Sequence, residues 1–249
     1  MTTRQFGADT VEGRRSNSDD GAARESITNQ LAHVVSNDLA QPLTTIVGFA
    51  DLLSRRYHQQ IDQDADEFIA FIVAGAKRMQ AMLEDLQTYL SISDTEPPAA
   101  PVDCAKVVQA AVDSLGTAMA STRATVTVGT LPHVRGDSVQ IGQLFRQLLS
   151  NSLKFKGEHS PRINISASRG PGHVRFTVSD NGRGLEPAWS ERAFELFEGM
   201  HHAEFESGTG TGLAICRRIA ERHGGRIWYE PGHESGSRFH FTIADRVED

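Results

Sequence analysis

Four short segments in the second half of the chain place amides, a cation, a carboxylate and glycines at spacings suited to gripping a phosphorylated ligand. Gln147, Asn151 and Lys154 stand at i, i+4 and i+7 and so share one helical face, where an amide and an ammonium can hold a metal-phosphate group. Asp180-Asn181-Gly182-Arg183-Gly184 follows an apolar strand, which puts a carboxylate at a strand end beside glycines that let the backbone approach a ligand. Gly208-Thr209-Gly210-Thr211-Gly212-Leu213 opens a helix, where free backbone N–H groups and the helix dipole favour phosphate. Gly236-Ser237-Arg238-Phe239-His240-Phe241 leads with a polar residue into an alternating strand. Taken singly, these are a solvated face, an Asp-Asn-Gly turn, a glycine loop and an ordinary strand start; their order and spacing carry the information.

The elements that must position them follow from periodicity. Residues 1–24 are rich in Arg, Asp, Ser, Gly and Thr without an apolar period, which predicts a disordered leader. Leu39, Leu43, Ile46, Ala50 and Leu53 recur at 4-3-4-3 spacing on one helical stripe, and Leu31 and Val35 extend it upstream. After a turn near Tyr57 to Asp62, a second stripe runs through Phe68, Ile72, Met79, Leu83, Leu86 and Leu90. One hairpin (25–92) cannot bury both stripes well, so pairing with a second copy into a four-helix bundle is expected. Pro97, Pro98 and Pro101 predict a linker over 93–103.

Beyond the linker, 104–245 reads as a second domain. A helix is expected around Val107 to Met119 and a strand over Ala124 to Val128. Next comes a helix capped near Asp137 and running to about Phe155. Two strands flank the Arg169-Gly170-Pro171-Gly172 turn. A helix from about Thr211 ends at Gly224-Gly225 and two strands close the chain. This order predicts an α+β protein in which helices cover one face of a mainly antiparallel sheet, a two-layer α/β sandwich.

Composition narrows the class. At 249 residues and 39% hydrophobic, the chain is long enough for two domains with separate cores. A net charge of -7 without a Lys/Arg cluster argues against nucleic acid or an anionic membrane as the main partner. Cys104 and Cys216 belong to no metal-ligand spacing and are expected as buried thiols in a reducing compartment. Without an apolar leader or a window of about 18 apolar residues, a cytoplasmic location without a membrane anchor is expected.

In order and spacing the four segments resemble the N, G1, G2 and terminal boxes of the ATP-binding (Bergerat-type) domain shared by histidine kinases, gyrase B, Hsp90 and MutL. The helix upstream selects among them, because Ser36-Asn37-Asp38-Leu39-Ala40-Gln41-Pro42-Leu43 resembles the H-box of two-component sensor histidine kinases. Phe194-Glu195-Leu196-Phe197 is similar to the F-box, and Gly208 to Cys216 is similar to phytochrome-related kinases. The resemblance implies ATP and Mg²⁺ as ligands, a homodimer and a response-regulator receiver domain as partner. It implies that Asn151 ligates Mg²⁺, Lys154 meets phosphate oxygens and Asp180 accepts the adenine amino group. Gly182 and Gly184 would shape the base pocket, and Ser237 would join the adenine side through its hydroxyl. Gly208, Thr209, Gly210, Gly212 and Leu213 would form the phosphate side of the lid, which is expected over Leu185 to Ser207.

Three departures bear on phosphoryl transfer. Asn37 occupies the phosphoacceptor position, and an amide nitrogen, its lone pair delocalised into the carbonyl, is not a usable nucleophile where imidazole is. Gly199 stands where the related pattern supplies an arginine, which would weaken transition-state charge stabilisation more than ground-state binding. Gln147 replaces the first N-box asparagine with a longer amide. His33, one turn before Asn37, is displaced about 6 Å along the axis and is a poor substitute acceptor. His201-His202 reads as a solvated pair, and His223 as a helix C-terminal residue favoured by the dipole. Asp38 and Gln41 retain the groups that could orient a water for removing phosphate from a response regulator. Two readings therefore stand open: a histidine-kinase core whose acceptor is blocked by an introduced or natural substitution, or a pseudokinase serving as an ATP-responsive module or response-regulator phosphatase. A third, a kinase of partner Ser/Thr groups, fits the H-box-like hairpin less well.

Overall fold

The computed structural model describes residues 39–57, 62–92, 97–98, 100–186, 189–197, 209–232 and 235–245. The chain divides into two compact units between Ser91 and Ile92.

The first unit contains helix α1 (39–57) and helix α2 (Gln63–Ser91). Asp62 starts α2 by accepting the Ala65 N–H at 2.7 Å through Oδ1, a side-chain cap on an otherwise orphaned donor. Lys77 Nζ on α2 meets Asp51 Oδ1 on α1 at 3.1 Å, joining the two helices side by side. The expected stripe is present but only partly covered. Leu43 and Ala50 are buried, whereas Leu39, Ile46 and Leu53 on α1 and Phe68, Ile72 and Met79 on α2 are exposed.

The second unit is built on strands β1 (Pro101–Asp103), β2 (Thr125–Val128), β3 (His133–Arg135), β4 (Arg162–Gly170), β5 (His173–Asp180), β6 (Ile227–Pro231) and β7 (Ser237–Ala244). Five of them form one sheet in the order β2-β4-β5-β7-β6, with β2 parallel to β4 and the rest antiparallel. Helices α3 (Cys104–Ser114), α4 (Gly116–Thr122), α5 (Ser138–Lys154) and α6 (Gly212–Arg222) complete the unit. Helix α5 packs between α3 and α6. Alternation aims Ile163 and Ile165 of β4, Val174, Phe176 and Val178 of β5, and Phe239, Phe241 and Ile243 of β7 at the helices, all buried. Phe145 of α5 inserts edge-on against Phe176 and Phe241, with ring centroids 5.6 and 5.2 Å away.

Two expectations change. The stretch read as linker up to Asp103 ends in β1, which pairs with the unforeseen strand β3, and Asp103 Oδ1 caps α3 by accepting from Ala105 and Lys106. The helix expected around Val107 to Met119 is two helices. The chain turns at Leu115, whose N–H bonds Val112 O at 3.0 Å, and α4 restarts at Gly116, a residue that weakens helix continuation. Both cysteines are free and buried, as expected, and burial pushes the Cys104 thiol up to about 12 and Cys216 higher still.

Candidate nucleotide site

Asp180 stands two residues beyond Val178 on β5 and therefore on the helix-covered face of the sheet. Its Oδ1 accepts backbone N–H groups from Gly182 at 2.9 Å and Ser237 at 3.1 Å, and its Oδ2 accepts the Ser152 hydroxyl at 2.9 Å. Burial pushes the carboxyl above the ordinary carboxylate range, and these three donors pull against that shift. Ser237 thus reaches Asp180 through its backbone N–H.

The turn after Asp180 is clamped to the end of α5. Arg183 N–H donates to Phe155 O at 3.0 Å, Asn181 Oδ1 accepts the Arg162 N–H at 2.7 Å, and Asn181 Nδ2 donates to Ser160 O at 3.2 Å. A Cβ on Gly182 would sit 2.5 Å from Phe155 O, so only glycine allows this approach. Gly184 has φ of +78°, a left-handed conformation that glycine adopts without strain. The next residue, Leu185, is held at both backbone groups by Tyr229, whose Oη accepts its N–H at 2.9 Å and donates to its carbonyl at 3.2 Å.

Gln147, Asn151 and Lys154 share a half-buried face of α5, as their spacing predicted, and Lys154 Nζ lies 5.1 Å from the Phe155 ring centroid. The longer amide of Gln147 reaches the start of α6, since a Cβ on Gly212 would lie 3.0 Å from its Oε1. Thr209, Gly210, Gly212 and Leu213 lead into α6, whose capping residue Thr211 is fully buried. Phe197 of the F-box-like segment takes φ of +64°, strained for a phenylalanine, and its N–H donates to Gly210 O at 3.1 Å. The structure therefore joins the N-, G1- and terminal-box residues through Asp180, the N-box to the G2 loop through Gln147, and the F-box to the same loop through Phe197.

Gln41 is exposed on α1 in the other unit. His33, Asn37, Asp38, Gly199, His201, His202 and Gly208 lie outside the described residues. His223 does end α6, but buried: its Nε2 accepts the Asp137 N–H at 3.0 Å and its Nδ1 donates to Ile219 O at 2.8 Å, which ties the end of α6 to the cap of α5. Ser152 and Tyr229 were missed. Ser152 continues the buried series Ile141, Phe145, Leu148, and a lone hydroxyl ending an apolar seam was the available signal. For Tyr229, nothing local set it apart from an ordinary strand aromatic.

Residues 136–247 match the family described as histidine kinase-, DNA gyrase B- and HSP90-like ATPase, and residues 28–94 match the His Kinase A (phospho-acceptor) domain. Cyanobacterial phytochrome A from Nostoc sp. is 40% identical over 215 residues, an alignment covering 86% of this chain and 28% of that protein. The chain belongs to the histidine-kinase family. It spans less than a third of the length of that phytochrome and of the phytochrome-like protein Cph1 from Synechocystis sp.. In fold this histidine-kinase core is also similar to full-length ShkA, solved in complex with AMPPNP, with a TM-score of 0.65 at 21% identity over 88% of this chain and 47% of that one. ThkA in complex with the response regulator TrrA gives 0.62 at 20% identity over 96% of this chain and 68% of that one. No helix among the described residues is long and apolar enough to cross a membrane.

Proposed function

We propose that this histidine-kinase core binds Mg-ATP and works with a response regulator in the cytoplasm, as a homodimer through 25–92, while its own helix lacks a competent phosphoacceptor. The observation that carries the nucleotide half is the thrice-held carboxylate of Asp180. With Oδ1 occupied by two N–H groups and Oδ2 by one hydroxyl, the remaining acceptor capacity suits an amino group such as that of adenine. ShkA, a relative in fold, is solved with the ATP analogue AMPPNP, which supports the same ligand class here.

The residues also fit magnesium. Mg²⁺ draws its oxygen ligands largely from phosphates and water, so one protein amide oxygen suffices, and Asn151 would supply it. Bound Mg²⁺ would supply charge neutralisation at the β- and γ-phosphates. Lys154 adds a cation on the same helix face, and the N–H groups opening α6 at Gly212 and Leu213 add donors.

The acceptor half rests on Asn37, whose amide cannot attack a phosphorus centre as imidazole does. Incubation with γ-labelled ATP is expected to leave the chain unlabelled, and Asn37→His to restore labelling; recovery of phosphohistidine from the unaltered chain would overturn this half. The pseudokinase reading keeps one supporting observation, the exposed Gln41 on α1, free to orient water at a docked receiver domain. Loss of phosphate from a labelled response regulator, abolished by Gln41→Ala, would establish phosphatase action, and an unchanged rate in that variant would exclude this role for Gln41.

A further inference from the structure

We infer that Ser152 is a positioning residue for base selection: its hydroxyl fixes the Asp180 carboxylate so that the site prefers a purine bearing an amino group at its six position. The inference rests on the nucleotide reading above and deepens it. Helix α5 presents Ile141, Phe145 and Leu148 to the sheet, and the next position on that seam is Ser152, almost fully buried. A buried hydroxyl needs a partner, and this one has two acceptors in reach, Asp180 Oδ2 at 2.9 Å and Leu148 O at 3.2 Å. With one proton to give, it favours the shorter contact to the charged oxygen.

That choice has a geometric consequence. Gly182 and Ser237 hold Oδ1 through rigid backbone, but two bonds to one oxygen leave the carboxylate free to tilt about them. The third donor, from a different element and to the other oxygen, fixes the plane. It also occupies part of Oδ2, leaving that oxygen able to accept one further N–H in a set direction. An amino group satisfies it. A keto oxygen in the same place would set acceptor against acceptor, and a purine with hydrogen there would leave the remaining capacity unmet.

The test separates positioning from simple support of the helix. Calorimetry on the full chain compares Mg-ATP with Mg-purine riboside triphosphate, which lacks only the amino group. Wild type is expected to prefer ATP. Ser152→Ala should weaken ATP about tenfold while changing the analogue less than about twofold, because the lost bond acts through the amino contact. Ser152→Thr, which keeps the hydroxyl, should retain the wild-type ratio of the two affinities. If Ser152→Ala fails to fold, Ser152→Cys, close in volume and a weak donor, reads the same ratio. Equal weakening of both ligands, or an unchanged ATP affinity, would overturn the inference. Binding of neither triphosphate by the wild type would instead remove the nucleotide reading on which it rests.

Discussion

Phenylalanine is used in opposite ways in the two units. Phe145, Phe176 and Phe241 of the second unit are 0% exposed and touch one another, whereas Phe49 and Phe71 of the first stand 66% and 67% exposed. A monomer rarely leaves large aromatic side chains so open beside exposed apolar stripes without a use for them. The second unit closes its own core around a sheet and four helices. The first, as a single chain, does not, and a second copy supplying two more helices is the simplest cover for a stripe that runs along both. One unit is thus expected to fold and bind ligand by itself, while the other gains much of its stability from association.

The sharpest way to break this contrast is to truncate both kinds of phenylalanine. Phe145→Ala should destabilise the second unit by about 3–5 kcal/mol, because it removes a ring from a filled site between two sheet rings. Phe71→Ala should leave the urea midpoint of that unit unchanged. A similar loss in that midpoint from both substitutions would show that the second unit's stability is not its own, and the contrast would fail.

Next in size is Asp180→Asn, which replaces one acceptor oxygen by a donor beside the fixed N–H groups of Gly182 and Ser237. Calorimetry should show Mg-ATP binding weakened about 100-fold, since a mispaired buried polar group costs about 1–3 kcal/mol and more when charged. The same carboxyl predicts a pH dependence. Burial raises its folded-state value, so the folded protein holds the proton at a pH where the unfolded chain has released it, and the contribution to stability falls as pH rises through that window. ATP needs the ionised form, so affinity should fall on acidification at a higher pH than an ordinary carboxylate gives, and the effect should vanish in Asp180→Asn. Dimerisation measured by sedimentation should not follow either change.

Phe49→Glu and Phe71→Glu probe the first unit directly. Each places a charge on an exposed apolar position flanking the stripe and should weaken self-association about tenfold or more, since burying most of a phenylalanine side chain contributes roughly 1.5–3 kcal/mol. Nucleotide affinity should be unchanged. A chain that is monomeric before substitution would require another cover for the seam.

How much of this was legible follows the same divide. The helical stripes, the Asp137 cap and the strands around Gly170-Pro171 were readable because each is a local pattern with a fixed period or a fixed turn chemistry. Strands β1 and β3, three residues each, pair across about thirty residues of chain, and three residues cannot display a period. Asn151, Lys154 and Asp180 were singled out by residue type and spacing. The tie from Ser152 to Asp180 joins residues 28 apart, and Tyr229 meets Leu185 from 44 away; neither contact leaves a trace in local sequence. That the Ser237 N–H reaches Asp180 depends on the register of β7 beside β5, which composition does not encode.

The smallest expected effect lies on the sheet face away from the helices. His240 of β7 is buried beneath Trp228, its ring stacked at 5.2 Å, with Nδ1 2.9 Å from Thr177 Oγ1. Burial is the largest influence on it and pulls its value below the ordinary 6.5, with Arg175 and Arg238 adding to that direction. Glu230 opposes them, with its Oε2 3.3 Å from Nε2, a ring nitrogen that has no well-aligned hydrogen bond among the described residues. Because the folded state then binds the proton less readily than the unfolded chain, stability present above pH 6.5 should be lost as pH falls through and below that value. Urea denaturation of the second unit across that range, compared with His240→Gln, isolates the contribution from the other nine histidines. The variant should show the shallower acid loss. Parallel curves would mean that Glu230 compensates the burial in full.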